Sequence, residues 1–172
     1  MKRVITILIL AILPFLTCCE LLNGPDELPP ITMEGKNTFG CLVNGNLWLP
    51  DGSMNISKVS SYYNFFPATR FNLSFSARNV KNNSGFSFDI SDPIIANQSY
   101  ALNDTSKQRA FYNIGSCIYQ DYHVISGVVT ILKFDVQNQI LSGTFELTTY
   151  NPSCGDTLRI TEGRFDIGEI NF

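Results

Sequence analysis

The residues able to do acid, base or nucleophilic chemistry are few in this chain of 172 residues. His123 is its only histidine, so a metal site built from several histidines is excluded. A serine–histidine–aspartate arrangement would depend on His123, and Asp121 is too close in sequence to orient that ring. We therefore interpret His123 as a surface or strand-edge residue. The sequence predicts a protein that is not an enzyme.

Aspartates are the second group able to do chemistry, because a hydrolase can use two carboxylates that the fold brings together. The candidates are Asp51, Asp89, Asp92, Asp104 and Asp156. An aspartate side chain hydrogen-bonds nearby backbone in turns, which is the interpretation that we favour for this set. A carboxylate-based hydrolase is the less favoured alternative, and it requires at least two of these side chains to converge in a cleft. A calcium site at Asp89, Asp92 and Asn97 is also disfavoured, so we predict no metal and no cofactor.

The cysteines point to a disulfide. The chain has five, and Cys41, Cys117 and Cys154 follow the first two at positions 18 and 19. An odd number leaves one thiol unpaired, and no two of the three have the close spacing of a zinc site. The strand pairing expected below brings Cys117 and Cys154 to the same end of the fold, so we favour that disulfide. Cys41 with Cys154 is the alternative.

The N-terminus has the pattern of an export signal. Lys2 and Arg3 precede an apolar run over 4–16, which has the length of a secretory h-region and is too short for a typical spanning helix. The following Leu16-Thr17-Cys18-Cys19 resembles the lipobox of bacterial lipoproteins. The resemblance implies a signal peptide over 1–18 and lipidation of Cys19, whose acyl chains would anchor the protein stably in a membrane. Cys18 fits the lipobox less well, because Phe15 would then occupy the aliphatic position.

Charge excludes two classes of partner. Removing residues 1–18, which carry two basic and no acidic residues, would change the net charge from −3 to −5. The remaining Lys and Arg are scattered rather than clustered, so we expect no nucleic-acid partner. The expected contact with the membrane is made through the lipid anchor.

Beyond the signal, the sequence predicts a tether and one β domain. Residues 19–36 contain Pro25, Pro29 and Pro30 and show no strand alternation, which is typical of a stiff spacer. The domain is expected over 37–172. Asn44-Gly45 between two apolar runs predicts a type I′ hairpin, and alternating apolar residues over 70–77 and 85–90 predict a second.

The C-terminal part predicts a meander of long strands over 127–135, 140–150 and 157–167. Gly143 lies on the apolar face of the middle strand, where it would leave room for a large neighbour. In the last strand the apolar positions change phase between Ile160 and Phe165, which predicts a β-bulge at Gly163. The fold class is therefore all-β: a single antiparallel β-sandwich or flattened β-barrel with meander and hairpin connections.

One aromatic segment is the candidate ligand-binding surface. It comprises Tyr62, Tyr63, Phe65 and Phe66. Aromatic side chains before a strand can stack against sugars or form an apolar contact patch. The alternative is that Phe65 and Phe66 close one end of the core, which is the more common use of such residues.

Several motifs resemble an uncharacterised family of small all-β secreted lipoproteins of Bacteroidota. The motifs are Asn37 to Gly45 with Trp48, Gly127 to Asp135, Ser142 to Glu146, and Gly155 to Asp166. The resemblance supports an outer-membrane lipid anchor and an all-β fold, and it brings no catalytic residues. We expect a non-enzymatic binding or structural module of the cell envelope, facing either the periplasm or the outside. Capture of a glycan or peptide, and carriage of a small apolar ligand, are the alternatives.

Overall fold

Two six-stranded sheets form the fold in the computed structural model, which describes residues 27–52, 58–64, 72–104 and 106–172. Sheet A contains, in spatial order, β2 (Asn46–Trp48), β1 (Thr38–Val43), β11 (Asp156–Ile167), β10 (Ile140–Asn151), β9 (Val124–Asp135) and β6 (Gln98–Ala101). Sheet B contains β12 (Ile170–Asn171), β3 (Val59–Tyr63), β4 (Leu73–Asn79), β5 (Ser84–Ile90), β7 (Gln108–Ile114) and β8 (Cys117–Gln120). Neighbouring strands are antiparallel except β12 and β3, which are parallel. The all-β prediction is confirmed, and two separate sheets make it a sandwich rather than a barrel.

The local signals of the sequence account for the best-predicted strands. Asn44 and Gly45 have φ angles of 50° and 79°, as a type I′ turn requires, and they join β1 to β2. The long strands β9, β10 and β11 pair in sequence order as the meander predicts. Among the described residues, no helix is long and apolar enough to cross a bilayer.

The bulge in β11 lies beside Gly163 rather than at it. The β10–β11 register shifts between the Phe145–Gly163 and Leu147–Ile160 pairs, and Glu162 takes the positive φ of 54°. Gly163 is needed for a different reason: a Cβ there would lie 2.5 Å from the carbonyl oxygen of Phe145. The change of phase in the sequence thus located the bulge to within two residues.

Aromatic rings fill the space between the sheets. Phe39, Phe145 and Phe165 of sheet A meet Phe75, Phe86 and Phe88 of sheet B at centroid distances between 4.4 and 5.9 Å. Trp48 is buried, and its indole N–H donates to Ser84 Oγ at 2.8 Å, so its one polar atom is satisfied. Gly143 leaves room for Phe165, as predicted, since a Cβ would lie 2.6 Å from the ring.

The folded body extends beyond the predicted N-terminal boundary at 37. Residues 27–36 lie against the outer face of sheet A, where the Asp166 carboxylate accepts hydrogen bonds from this segment. Part of the segment predicted as a tether over 19–36 therefore packs on the domain. Its prolines and polar residues resemble a spacer because the hydrogen bonds that hold it come from residues 100 or more positions away.

Candidate functional site on the outer face of sheet B

Strand alternation gives sheet B a polar outer face. Leu73, Phe75, Phe86 and Phe88 point into the core, so the residues between them on β4 and β5 point outward. Ser60, Ser76 and Ser87 are paired in register across β3, β4 and β5, and Phe111 and Gln120 continue this row on β7 and β8. With strands about 4.8 Å apart, the five-residue row spans about 19 Å.

A shallow groove on this face is lined mainly by hydroxyl groups. Its outward-facing lining residues are Ser60, Tyr62, Ser74, Ser76, Ser87 and Asn171. The Ser60 and Ser76 hydroxyls are 2.9 Å apart and share one hydrogen bond. Each hydroxyl both donates and accepts, so the groove offers an alternating set of donors and acceptors to a polar ligand.

Strand alternation separates the two tyrosines of the candidate aromatic segment. Tyr62 points outward beside Ser74 and is 47% exposed. Tyr63 points inward and packs against Phe134 of sheet A, with ring centroids 4.8 Å apart. Phe65 and Phe66 lie outside the described residues. Among the described residues of this segment, Tyr62 therefore carries the aromatic ring that a ligand in the groove can reach.

Charged groups lie at the other side of the groove, and each has a partner. Ser74 Oγ donates to Asp89 at 2.6 Å, and Asp89 is paired in register with Arg109 on the next strand. The Arg109 guanidinium is 3.3 Å from the Asp121 carboxylate. Arg109 is thus paired with a carboxylate and Asp89 accepts from a hydroxyl, so these residues do not form a patch of one charge sign, which suits an uncharged ligand better than an ionic one.

The aspartates considered for hydrolysis do not share a cleft. Asp51 pairs with Lys81 at 2.6 Å, Asp92 with Lys107 at 3.4 Å, and Asp104 accepts from Ser106, while Asp156 accepts from Tyr119 and Asp89 from Ser74. The hydrogen bond from Lys81 is the main cause that lowers the pKa of Asp51, and the Ser106 hydroxyl does the same for Asp104. Within the described ranges, no three His, Cys, Asp or Glu residues group as metal ligands would.

His123 has a local structural role. It ends a short 3₁₀ turn over Asp121–His123, and its Nδ1 accepts a hydrogen bond from the Gln120 backbone N–H at 3.3 Å. Its backbone carbonyl accepts from the Thr149 hydroxyl at 2.9 Å. These contacts join the β8–β9 connection to sheet A.

The three described cysteines form the favoured disulfide and leave one free thiol. A disulfide joins Cys117 and Cys154, whose Cα atoms are 6.1 Å apart, and it links β8 to the turn between β10 and β11. Cys41 is fully buried as a free thiol, and burial raises its pKa strongly. Nearby, Tyr119 donates to Asp156 at 2.5 Å, and burial, together with that carboxylate, raises the pKa of the phenol.

The sequence singled out Tyr62 as a candidate residue but not the polar surface around it. The serine row and the Asp89–Arg109 pair become neighbours only through the register of five strands, and register between distant strands is not local in the sequence. The sequence did contain one sign of this polar face, namely Ser74 and Ser76 between the inward residues of β4 and Ser87 between those of β5. It was used to predict strands, and no role was assigned to the polar face.

Comparison with known proteins identifies a family. No curated protein and no solved structure matches the chain. A family model described as a domain of unknown function (DUF6252) matches residues 60–167, which is more than half of the sequence. The matched region runs from the second residue of β3 through β11 and hence includes most of the groove on sheet B. The chain therefore belongs to the DUF6252 family of domains of unknown function.

Proposed function

We propose that this protein is a lipid-anchored, non-enzymatic binding module of the outer membrane of a member of the Bacteroidota, and that it captures carbohydrate on the outer face of sheet B. The observation that carries the proposal is the groove in which a row of serine hydroxyls lies beside the exposed ring of Tyr62. The anchor is supported by the Leu16-Thr17-Cys18-Cys19 sequence that follows the apolar N-terminal run.

Carbohydrates match both parts of this groove. A sugar ring presents C–H groups on its face, which pack on an aromatic ring, and hydroxyls around its rim, which need donors and acceptors. Each neutral hydrogen bond contributes about 0.5–1.5 kcal/mol net, so three or four of them with one ring contact give modest affinity. The groove is open rather than enclosed, which suits an extended chain whose successive sugars add to binding.

The other classes find less support. The separate partners of the five aspartates give no paired-carboxylate geometry for a hydrolase. The aromatic rings that meet between the sheets occupy the space in which a carrier would hold an apolar ligand.

The test is binding of neutral linear polysaccharides, such as glucans, mannans and xylans, to the mature lipidated protein in detergent. Tyr62→Ala should weaken binding about tenfold, which corresponds to about 1.4 kcal/mol. Tyr150→Ala removes a ring of similar exposure from the outer face of sheet A, and it should leave affinity unchanged. Absence of binding to every polysaccharide, or equal losses in the two variants, would overturn the carbohydrate assignment. Binding of extended peptides that Tyr62→Ala abolishes would assign the groove to peptide instead.

A further inference from the structure

The N-terminal segment over 27–36, which we call the strap, lies across the outer face of sheet A. Near its start, Leu28 and Pro29 contact the position of Gly40, where a Cβ would be 2.8 Å from the proline ring. The Pro29 carbonyl accepts from Arg164 at 3.4 Å, and the Met33 carbonyl accepts from Lys133 at 3.3 Å. The strap therefore touches β1, β11 and β9.

Asp166 fixes the strap in place. Its carboxylate accepts hydrogen bonds from the Thr32 hydroxyl at 2.6 Å and from the backbone N–H groups of Glu34, Gly35 and Lys36 at 3.1, 2.8 and 3.2 Å. Burial of the side chain raises the pKa of Asp166, whereas the four hydrogen bonds that its carboxylate accepts lower that pKa. The hydrogen bonds have the larger effect together, so the pKa lies below its ordinary value. A buried carboxylate with four donors is a strong attachment, because each donor satisfies a charge that water no longer reaches.

The length of chain before the strap limits where the anchor can be. Residue 27 lies eight positions after Cys19, so the intervening chain spans at most about 28 Å. The strap starts on the outer face of sheet A, while sheet B lies about 10 Å behind the backbone of sheet A. The chain that leads to the anchor thus leaves the domain on the side of sheet A. The groove on sheet B faces the opposite direction.

The chemistry of this face suits a bilayer surface. On the strap, Ile31 is 54% exposed and Met33 is 49% exposed, and Leu47 and Tyr150 are exposed on the same side of sheet A. The cations around the strap are already paired: Lys36 with Glu34, Lys133 with Asp135, and Arg164 with Glu162. Exposed apolar side chains among neutralised charges can enter the headgroup region without bringing a net charge against it.

From the strap and the reach of the preceding chain we infer that the outer face of sheet A, with the strap, lies against the lipid bilayer. This orientation turns the groove of sheet B away from the membrane, toward ligands in solution. The inference rests on the lipid anchor of the proposed function and is independent of what the groove binds.

The test places a fluorescent label on one face or the other of the lipidated protein. Met33→Cys puts the label on the strap, and Ser60→Cys puts it on the outer face of sheet B. Cys41 is buried and Cys117–Cys154 is a disulfide, so neither competes for labelling under non-reducing conditions. The two labelled proteins are reconstituted in phosphatidylethanolamine–phosphatidylglycerol vesicles that contain a headgroup-attached quencher.

The label at position 33 should be quenched several-fold more than the label at position 60. Equal quenching, or stronger quenching at position 60, would overturn the orientation. Asp166→Asn, which removes the attachment of the strap, should reduce the difference between the two labels, and an unchanged difference would show that the strap does not set the orientation. Failure of the lipidated chain to bind vesicles at all would overturn the anchor and the orientation together. Failure of the unlabelled parent protein to bind polysaccharide, with the quenching pattern intact, would overturn only the carbohydrate assignment.

Discussion

Asp166→Asn is the substitution that most directly tests how the strap is held. The side chain keeps its size but loses its charge and one of its two acceptor oxygens, and its new amide N–H groups face the donors from Thr32, Glu34, Gly35 and Lys36. A hydrogen bond to a charged group contributes about 1.5–3 kcal/mol, and donors that share one carboxylate are not additive. We expect the free energy of unfolding to fall by about 2–4 kcal/mol, which for a domain of this size lowers the melting temperature by roughly 10 °C.

The pH dependence provides a second measurement on the same residue. The pKa of Asp166 is lower in the folded protein than in the unfolded chain, so ionisation stabilises the fold above the unfolded value of about 3.9. That stabilisation is lost as the pH falls through the folded pKa. The difference between Asp166→Asn and the parent protein, measured by urea denaturation, should therefore be constant near neutral pH and shrink below about pH 4.

Glu162→Gln is the matched control, because it removes a carboxylate from the same strand. Glu162 is exposed and pairs with Arg164 at 3.2 Å, a surface ion pair worth about 0–1 kcal/mol. Equal denaturation midpoints for the Asp166 and Glu162 variants at pH 7 would refute the reasoning. So would unchanged hydrogen exchange at the amides of Glu34, Gly35 and Lys36 in Asp166→Asn.

Three further substitutions test the core and the disulfide. Gly143→Ala should destabilise the fold by about 3 kcal/mol or more, because its Cβ would lie 2.2 Å from the Thr130 carbonyl oxygen. In the control Gly45→Ala the new Cβ meets open space, so the positive φ alone should cost about 1 kcal/mol. Similar denaturation midpoints for the two variants would contradict this. Cys154→Ser should lower the free energy of unfolding by about 3–4 kcal/mol under non-reducing conditions, since the bridge spans 37 residues. Under reducing conditions the variant and the parent should be equally stable. Equal stability of the variant and the oxidised parent would refute this. Trp48→Phe should cost about 1–3 kcal/mol, as it leaves a gap beside Phe39 and removes the donor to Ser84; an unchanged melting temperature would argue against the buried contact.

Local patterns predicted the parts of the fold whose causes are local. The Asn44-Gly45 turn and the alternation along β9, β10 and β11 depend on residues close in sequence, and the structure has them near the expected positions. The Cys117–Cys154 pairing followed from that meander, because the pairing of β9 with β10 places the start of β9 near the turn that contains Cys154, with Val124 opposite Thr149.

The features that sequence reasoning missed depend on long-range contacts. The strap resembles a spacer in composition, and its fixed position comes from a carboxylate 130 or more positions away. The groove depends on the register of β3, β4 and β5, in which a shift of one residue would bury Tyr62 and expose Tyr63. A segment with two adjacent tyrosines carries no local information about which one faces outward.

The disulfide between β8 and the β10–β11 turn has a consequence for how the sandwich can move. It joins sheet B to sheet A covalently at one end, and the Tyr119–Asp156 hydrogen bond reinforces that end. At the far end of β10 and β11, the chain itself joins the sheets, because β11 of sheet A continues through residues 168 and 169 into β12 of sheet B. Tyr63 packs on Phe134 at the same end. With a disulfide at one end and the β11–β12 connection at the other, neither end can open as a hinge without local unfolding. Amide exchange in the central strands β10 and β5 should therefore require unfolding of the whole domain.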